Sequence, residues 1–241
     1  MSAKRIENVV TGELRIPEDV KELTYFKRLG YELDEEQWAL IEAIWSKKNI
    51  GVMVNAKAGT GKTTLAVGMA MLMAQQFRMY NRIYYVISPC EEDKLGYAPG
   101  TIEEKTAMYM EPLRQALLTW GYNPDNLIET KDNYKAVKEG TAIIKAIPHT
   151  FLRGQDLSKS FIICEESQNY KLHDLKKTLS RAHDDCKVVV IGHTGQIDLK
   201  YPQDSGFDKY LNAADRVDFI ETVELTKNYR GKFSNWADEV K

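Results

Sequence analysis

The chain has 241 residues, enough for one domain with modest additions, and its 33 Lys+Arg against 35 Asp+Glu leave a formal net charge of −2. That balance excludes a polycation, so any nucleic-acid contact has to be a local basic patch. Three cysteines form no CxxC pair and four histidines lie at no ligand spacing, which argues against a disulfide framework or a zinc site.

In chain order, "MSAKRIENVVTGELRIPED" carries charges where a secretory signal needs an apolar run, so a cytoplasmic protein is expected. Residues 1–32 read as an N-terminal extension and 33–241 as one domain. "LDEEQWALIEAI" is a loop entering an amphipathic helix, with Gln37 near its start. "IGVMVNA" reads as a strand, and "LAVGMAMLMA" after it as a helix buried on most sides, well short of the ~20 residues of a bilayer span, so no membrane role is expected. "RIYYVIS" is a second strand. "GTIEEKTAMYMEPLRQALLTWGYNP" is a helix opened by a Thr101–Glu104 capping box and kinked at Pro112. "TAIIKAI", "FIICEES", "KVVVIG" and "DFIETVEL" complete the set of strand-like runs. Apolar strands alternating with helices predict an α/β fold with a mainly parallel sheet covered on both faces.

Between the first strand and its helix stands "AKAGTGKTT", a phosphate-binding loop that opens on Ala56 instead of glycine. Ala58, Gly59, Thr60 and Gly61 would turn backbone N–H groups toward phosphate oxygens. Lys62 would reach the β- and γ-phosphates, and Thr63, followed by Thr64, would offer a hydroxyl to Mg²⁺. Glu165 and Glu166 close the "FIICEES" strand, where ligands of open α/β sheets gather. Glu165 is expected at Mg²⁺ and Glu166 at the attacking water. Gln37 can donate and accept at once, which suits an adenine edge.

These landmarks, in this order, resemble the PhoH-like ATPases, a group close to the superfamily 1 helicases. "KLGYAPG" with "EKTAMYMEPL" resembles that family's KLG-x-x-PG segment and the helix after it. "FLRGQDL", "FIICEESQN" and "VVVIGHTGQIDL" are similar to its MRGRTL, Walker B and GD-x-x-QIDL elements. The resemblance implies a RecA-like P-loop NTPase with a three-layer αβα arrangement. It also implies ATP and Mg²⁺ as cofactors, γ-phosphate sensing by Gln196, and ATP hydrolysis coupled to RNA or another single-stranded nucleic acid. Glu165, Ser167 and His193 depart from the family's Asp, Ala and Asp. Lys94 with Tyr97, and Phe151 with Arg153, are the candidate RNA contacts, as basic groups beside aromatic rings.

"ELTKNYRG" resembles a helicase NYR motif and makes Arg230 a candidate arginine finger. A chain of this length is short for a second RecA-like domain, so Arg230 is expected to act on a neighbouring subunit of a homo-oligomer, a closed ring such as a hexamer. Two other readings remain open at this point: a nucleoside kinase of the thymidine-kinase type, which lacks its zinc cysteines here, and a nucleotide-regulated binding protein with little turnover.

Overall fold

A computed structural model describes residues 16–88, 102–131, 133–152, 154–155 and 157–239. Six strands, β1 (Gly51–Ala56), β2 (Arg82–Ile87), β3 (Ile144–Pro148), β4 (Ser160–Cys164), β5 (Lys187–Gly192) and β6 (Ile220–Leu225), form one sheet in the order β3-β2-β4-β5-β1-β6. Every pairing between them is parallel. The helices are α1 (Glu35–Trp45), α2 (Lys62–Met71), α3 (Ile102–Thr119), α4 (Pro124–Leu127), α5 (Tyr134–Lys138), α6 (Leu172–Leu179), α7 (Phe207–Ala214) and α8 (Lys232–Glu239).

Strand side chains alternate between two cores, as the two-residue strand period requires. Val52, Val54, Tyr85, Phe161, Ile163, Val189 and Ile191 pack with α1, α2 and α3 on one face. Met53, Tyr84, Val86, Ile162, Val188 and Val190 pack with Leu175 of α6 and Phe207 of α7 on the other. The result is a three-layer αβα architecture, as the sequence pattern predicts. All six apolar runs are strands, but β6 is an edge. Of its residues only Val223 and Leu225 are buried, so it alternates where the inner strands are buried throughout.

The long apolar run after β1 is fully buried and continues past Met71 as a π-helical turn over Leu72–Gln76. Its packing depends on Gly68. A Cβ there would stand 2.1 Å from Cε2 of Trp120, so the indole lies directly on the α2 backbone. Trp120 also donates from Nε1 to the Thr64 carbonyl at 2.7 Å. The helix α3 that delivers this region runs through the exposed Pro112 without ending there. Thr101 of the expected capping box lies outside the described residues.

The expected N-terminal extension is, from residue 16 onward, part of this core. Tyr25 stacks on Trp120 with ring centroids 4.6 Å apart and donates to the Gly68 carbonyl at 3.0 Å. Val20, Phe26 and Leu29 are buried in the same cluster. The aromatic residues of 24–29 thereby brace α2 from outside, a tertiary role that a short polar-looking segment does not announce.

Gly68→Ala should therefore destabilise the chain by about 1–3 kcal/mol through overpacking against Trp120. Chemical denaturation measures this. A midpoint equal to the parent's would mean that the indole does not rest on α2.

Candidate nucleotide site

Adjacent strands β4, β5, β1 and β6 all end at one edge of the sheet, and each releases a loop there. In such sheets ligands bind outside the carboxyl ends of the strands. After β1, the chain enters the glycine loop. Ala56 is the last residue of the strand, buried, with Leu225 of β6 as its pairing partner. It needs no left-handed backbone, which is why alanine serves where glycine is usual. Gly59 (φ 76°) and Gly61 (φ 84°) do take the left-handed conformation. The Thr60 hydroxyl donates to the Lys57 carbonyl at 3.1 Å and closes the turn.

Gly61 is the N-cap of α2, so Lys62, Thr63 and Thr64 form its first turn, with their backbone N–H groups at the positive end of the helix dipole. This is a ready anion site. Ala58 and Gly59 are half-buried within the loop that leads to it.

The Thr63 hydroxyl donates to Oε1 of Glu165 at 2.8 Å, joining the first turn of α2 to the end of β4. Glu165 is 4% exposed, and its Oε2 has no hydrogen-bond partner among the described residues. Burial, aided by the Glu166 charge, pushes its carboxyl up to about 7, while Lys62 and the Thr63 hydroxyl pull it down. An orphaned buried oxygen beside a hydroxyl suits a hard cation that keeps water and phosphate ligands. No cluster of three or more His, Cys, Asp or Glu residues that would form an all-protein cage occurs among the described residues.

Glu166 is exposed and takes the left-handed conformation (φ 50°), at a cost of roughly 1–2 kcal/mol for a residue with a side chain. The turn it makes lets two buried carboxamides reach the loop after β5. Gln168 donates from Nε2 to Glu166 Oε2 at 2.6 Å and accepts the His193 N–H at 3.0 Å. Asn169 donates to Asp198 at 2.9 Å and accepts its N–H at 2.8 Å. Thr194 N–H donates to Asn55 Oδ1 of β1 at 3.2 Å. Gln196 is exposed on the loop so held. His193 enters the network through its backbone.

Gln37 is 2% exposed, and both ends of its carboxamide are used. Nε2 donates to the Thr60 carbonyl at 3.1 Å, and Oε1 accepts the Asp34 N–H at 3.3 Å as half of the α1 capping box. The sequence reading sends Gln37 to an adenine edge. The structure ties it to the glycine loop by one N–H and one lone pair of a carboxamide that has two of each.

The segment after β6 carries Arg230. Tyr229 N–H donates to the Gly59 carbonyl at 2.9 Å, and a Cβ on Gly59 would stand 2.9 Å from Cγ of Arg230 and 2.3 Å from Oδ1 of Asn228. The arginine stem thus lies against the glycine loop of its own chain.

Of the candidate RNA contacts, Lys94, Tyr97 and Arg153 lie outside the described residues. Phe151 is half exposed in the turn His149–Leu152 after β3, the edge strand farthest from β6. Sequence reasoning passed over Gln168, Asn169, Asp198, Asp34, Glu36 and Thr226. Gln168, Asn169, Asp198 and Thr226 stand inside segments quoted for their resemblance, which is the signal that could have found them.

A family model described as PhoH-like protein matches residues 32–235. The chain is 34% identical over 170 residues to a PhoH-like protein of Mycobacterium tuberculosis, covering 70% of this chain and 46% of that protein. It is 30% identical over 192 residues to Protein PhoH2 of Bacillus subtilis, covering 74% and 41%. The chain thus spans less than half the length of these relatives. The large terminase of bacteriophage HK97 is similar in fold, with a TM-score of 0.50 at 12% identity, over 85% of this chain and 41% of that one.

The raised Glu165 carboxyl sets a pH dependence. A folded value above the unfolded one stabilises the protein fully below about pH 4.5, and that contribution is lost as pH rises through about 7. Glu165→Gln should therefore change stability little at pH 4.5 and raise it at pH 8 by up to about 3 kcal/mol, in nucleotide-free protein with chelator. Urea unfolding at the two pH values checks it. A variant equally or less stable at pH 8 would show that the carboxyl is not held in a desolvating site.

Proposed function

The chain belongs to the PhoH-like protein family, and on that premise we propose that residues 33–241, braced by 16–32, form a Mg²⁺-dependent P-loop ATPase acting on RNA or another single-stranded nucleic acid. The observation that carries the reading is the Thr63–Glu165 hydrogen bond, which puts the two halves of a nucleotide site, separated by 102 positions, in direct contact. A glycine turn that merely started a helix would not need a buried carboxyl across two strands.

In this reading the N–H groups of Ala58 to Thr64 cradle the phosphates, and the Lys62 ammonium balances charge on the β- and γ-phosphates. Thr63 and Glu165 would hold Mg²⁺, whose charge offsets that of the phosphate oxygens. Glu166, with one oxygen fixed by Gln168, orients water and takes its proton as the water oxygen attacks the γ-phosphorus, releasing ADP and phosphate. Gln196 senses the γ-phosphate from the loop braced by Gln168 and Asn169. Arg230 stabilises charge on the transferring phosphoryl group in cis.

The polymer rests on the motif resemblance and on Lys94, Tyr97, Phe151 and Arg153 as basic and aromatic contacts. A closed ring remains compatible with this arrangement, without being required to complete the site.

Phosphate release from ATP, with and without single-stranded RNA, tests the proposal. Lys62→Ala should lose at least roughly a hundredfold in turnover, and Glu166→Gln should keep ATP bound while turnover stops. RNA stimulation should decline as salt rises. Parental turnover in Lys62→Ala would overturn the site, and phosphate appearing on an added nucleoside instead of in solution would favour the kinase reading.

A further inference from the structure

The cap and first turn of α1 grip two separate segments at once, the glycine loop and residues 226–230. Gln37 holds the Thr60 carbonyl of the glycine loop at 3.1 Å. Glu36 accepts from both the backbone N–H and the hydroxyl of Thr226, each at 2.7 Å. Asp34 caps α1 through Oδ1, accepting the Gln37 N–H at 2.8 Å, and accepts the Tyr229 hydroxyl at Oδ2. Two of these partners, Thr226 and Tyr229, flank the short segment that ends on Arg230.

The charges bear out a working contact. The hydroxyl and N–H of Thr226 hold the Glu36 carboxyl below the usual carboxylate range. Asp34 is also held low: burial pushes it up, but the Tyr229 hydroxyl, the Gln37 N–H and Lys227 outweigh that. Both remain anionic acceptors at neutral pH. A bond to a charged acceptor is stronger than a neutral one. Glu36 makes two such bonds to one residue, which fixes direction as well as distance.

The segment so held is an exposed strand exit with little of its own to fix it. Thr226, Lys227, Tyr229 and Arg230 are all exposed, and the chain leaves the sheet at Leu225. Its further restraints include Tyr229 N–H to the Gly59 carbonyl, Arg230 N–H to Asn228 Oδ1 at 2.8 Å and Asn228 Nδ2 to Ser234 Oγ at 2.8 Å. The α1 acceptors add the hold on Thr226 and on the Tyr229 hydroxyl.

We propose that Glu36, with Asp34 in support, is a positioning residue for Arg230: the α1 cap clamps residues 226–230 over the glycine loop and sets where the guanidinium meets the transferring phosphoryl group. Because Gln37 of the same turn holds Thr60, the clamp references the arginine to the phosphate cradle itself, so loop and arginine move as one unit. The inference rests on the ATPase reading above. It assigns Asp34, Glu36 and Thr226 no contact with nucleotide.

The test measures ATP turnover, ATP affinity and amide exchange in the full chain. Glu36→Ala should lower kcat roughly a hundredfold, because misplacing a reacting group by about 1 Å costs that much. ATP affinity should stay within about threefold, since Arg230 acts on charge that develops in the transition state. Combined with Arg230→Ala, Glu36→Ala should slow the enzyme no further than Arg230→Ala alone, because it acts through that arginine. Thr226→Ser, which keeps both donors, should turn over about tenfold faster than Thr226→Val, which loses one. In nucleotide-free Glu36→Ala, amide exchange at 226–230 should accelerate while the core keeps its protection.

Multiplying losses in the Glu36→Ala/Arg230→Ala pair, or unchanged exchange at 226–230, would overturn the clamp. So would full turnover in Arg230→Ala while Lys62→Ala is dead, which would leave the P-loop assignment standing. Full turnover in Lys62→Ala, or no ATP turnover in the parent chain, would instead sink the reading beneath it, and the clamp with it.

Discussion

The hydrogen bond from Thr63 to Glu165 is the constraint around which the rest is arranged. The end of β4, Cys164, is level with Met53, so β1 runs three residues further, and the glycine loop turns back so that the first turn of α2 meets the carboxylate just past β4. The sheet allows this by placing only β5 between them, all parallel and in register. Burial of Glu165 follows from the same geometry, and with it the raised carboxyl. A charge held in a dry site is unfavourable alone and becomes favourable beside a cation. The fold therefore carries a local electrostatic penalty where an ATPase would use it.

Around that contact, loops from four neighbouring strands are cross-linked by side chains and not by each other's backbones alone. Gln168 and Asn169 hold the β5 loop, Gln37 holds the glycine loop, and Glu36 and Asp34 hold the segment after β6. Gln37, Asn169 and Glu36 each hold a partner on another loop, while Glu165 Oε2 is left open to a ligand. Such networks rigidify a site when every member is paired. On the far side, Trp120 and Tyr25 fix α2 by packing, so the helix that carries Lys62 and Thr63 is pinned at its first turn and at Gly68.

Local pattern made most of the fold legible. Short apolar runs rich in β-branched residues read as buried parallel strands, the longer run after the glycine loop as a buried helix, and the loop lies between strand and helix. The sequence pattern also placed Glu165 correctly at a strand end, because strand ends and ligand sites coincide in this architecture. What stayed hidden was tertiary. Nothing in "TYFKRL" says that Tyr25 will stack on a tryptophan 95 positions later. The capping-box spacing Asp34-x-x-Gln37 was legible in "LDEEQ", but the second bond of Gln37, to Thr60 of another loop, leaves no trace in spacing. Arg230 was sent to a neighbour because chain length was weighed, and spacing does not reveal that its stem packs on a glycine 171 residues upstream in the same chain.

The central claim is that the glycine loop and the end of β4 form one site through Thr63 and Glu165. A double-mutant cycle on Mg²⁺-ATP affinity, by calorimetric titration of Thr63→Val, Glu165→Gln and the double variant, tests it most directly. Each single change should weaken binding, and the double variant should bind no more weakly than the worse single. Fully additive losses would show two independent groups and contradict the account.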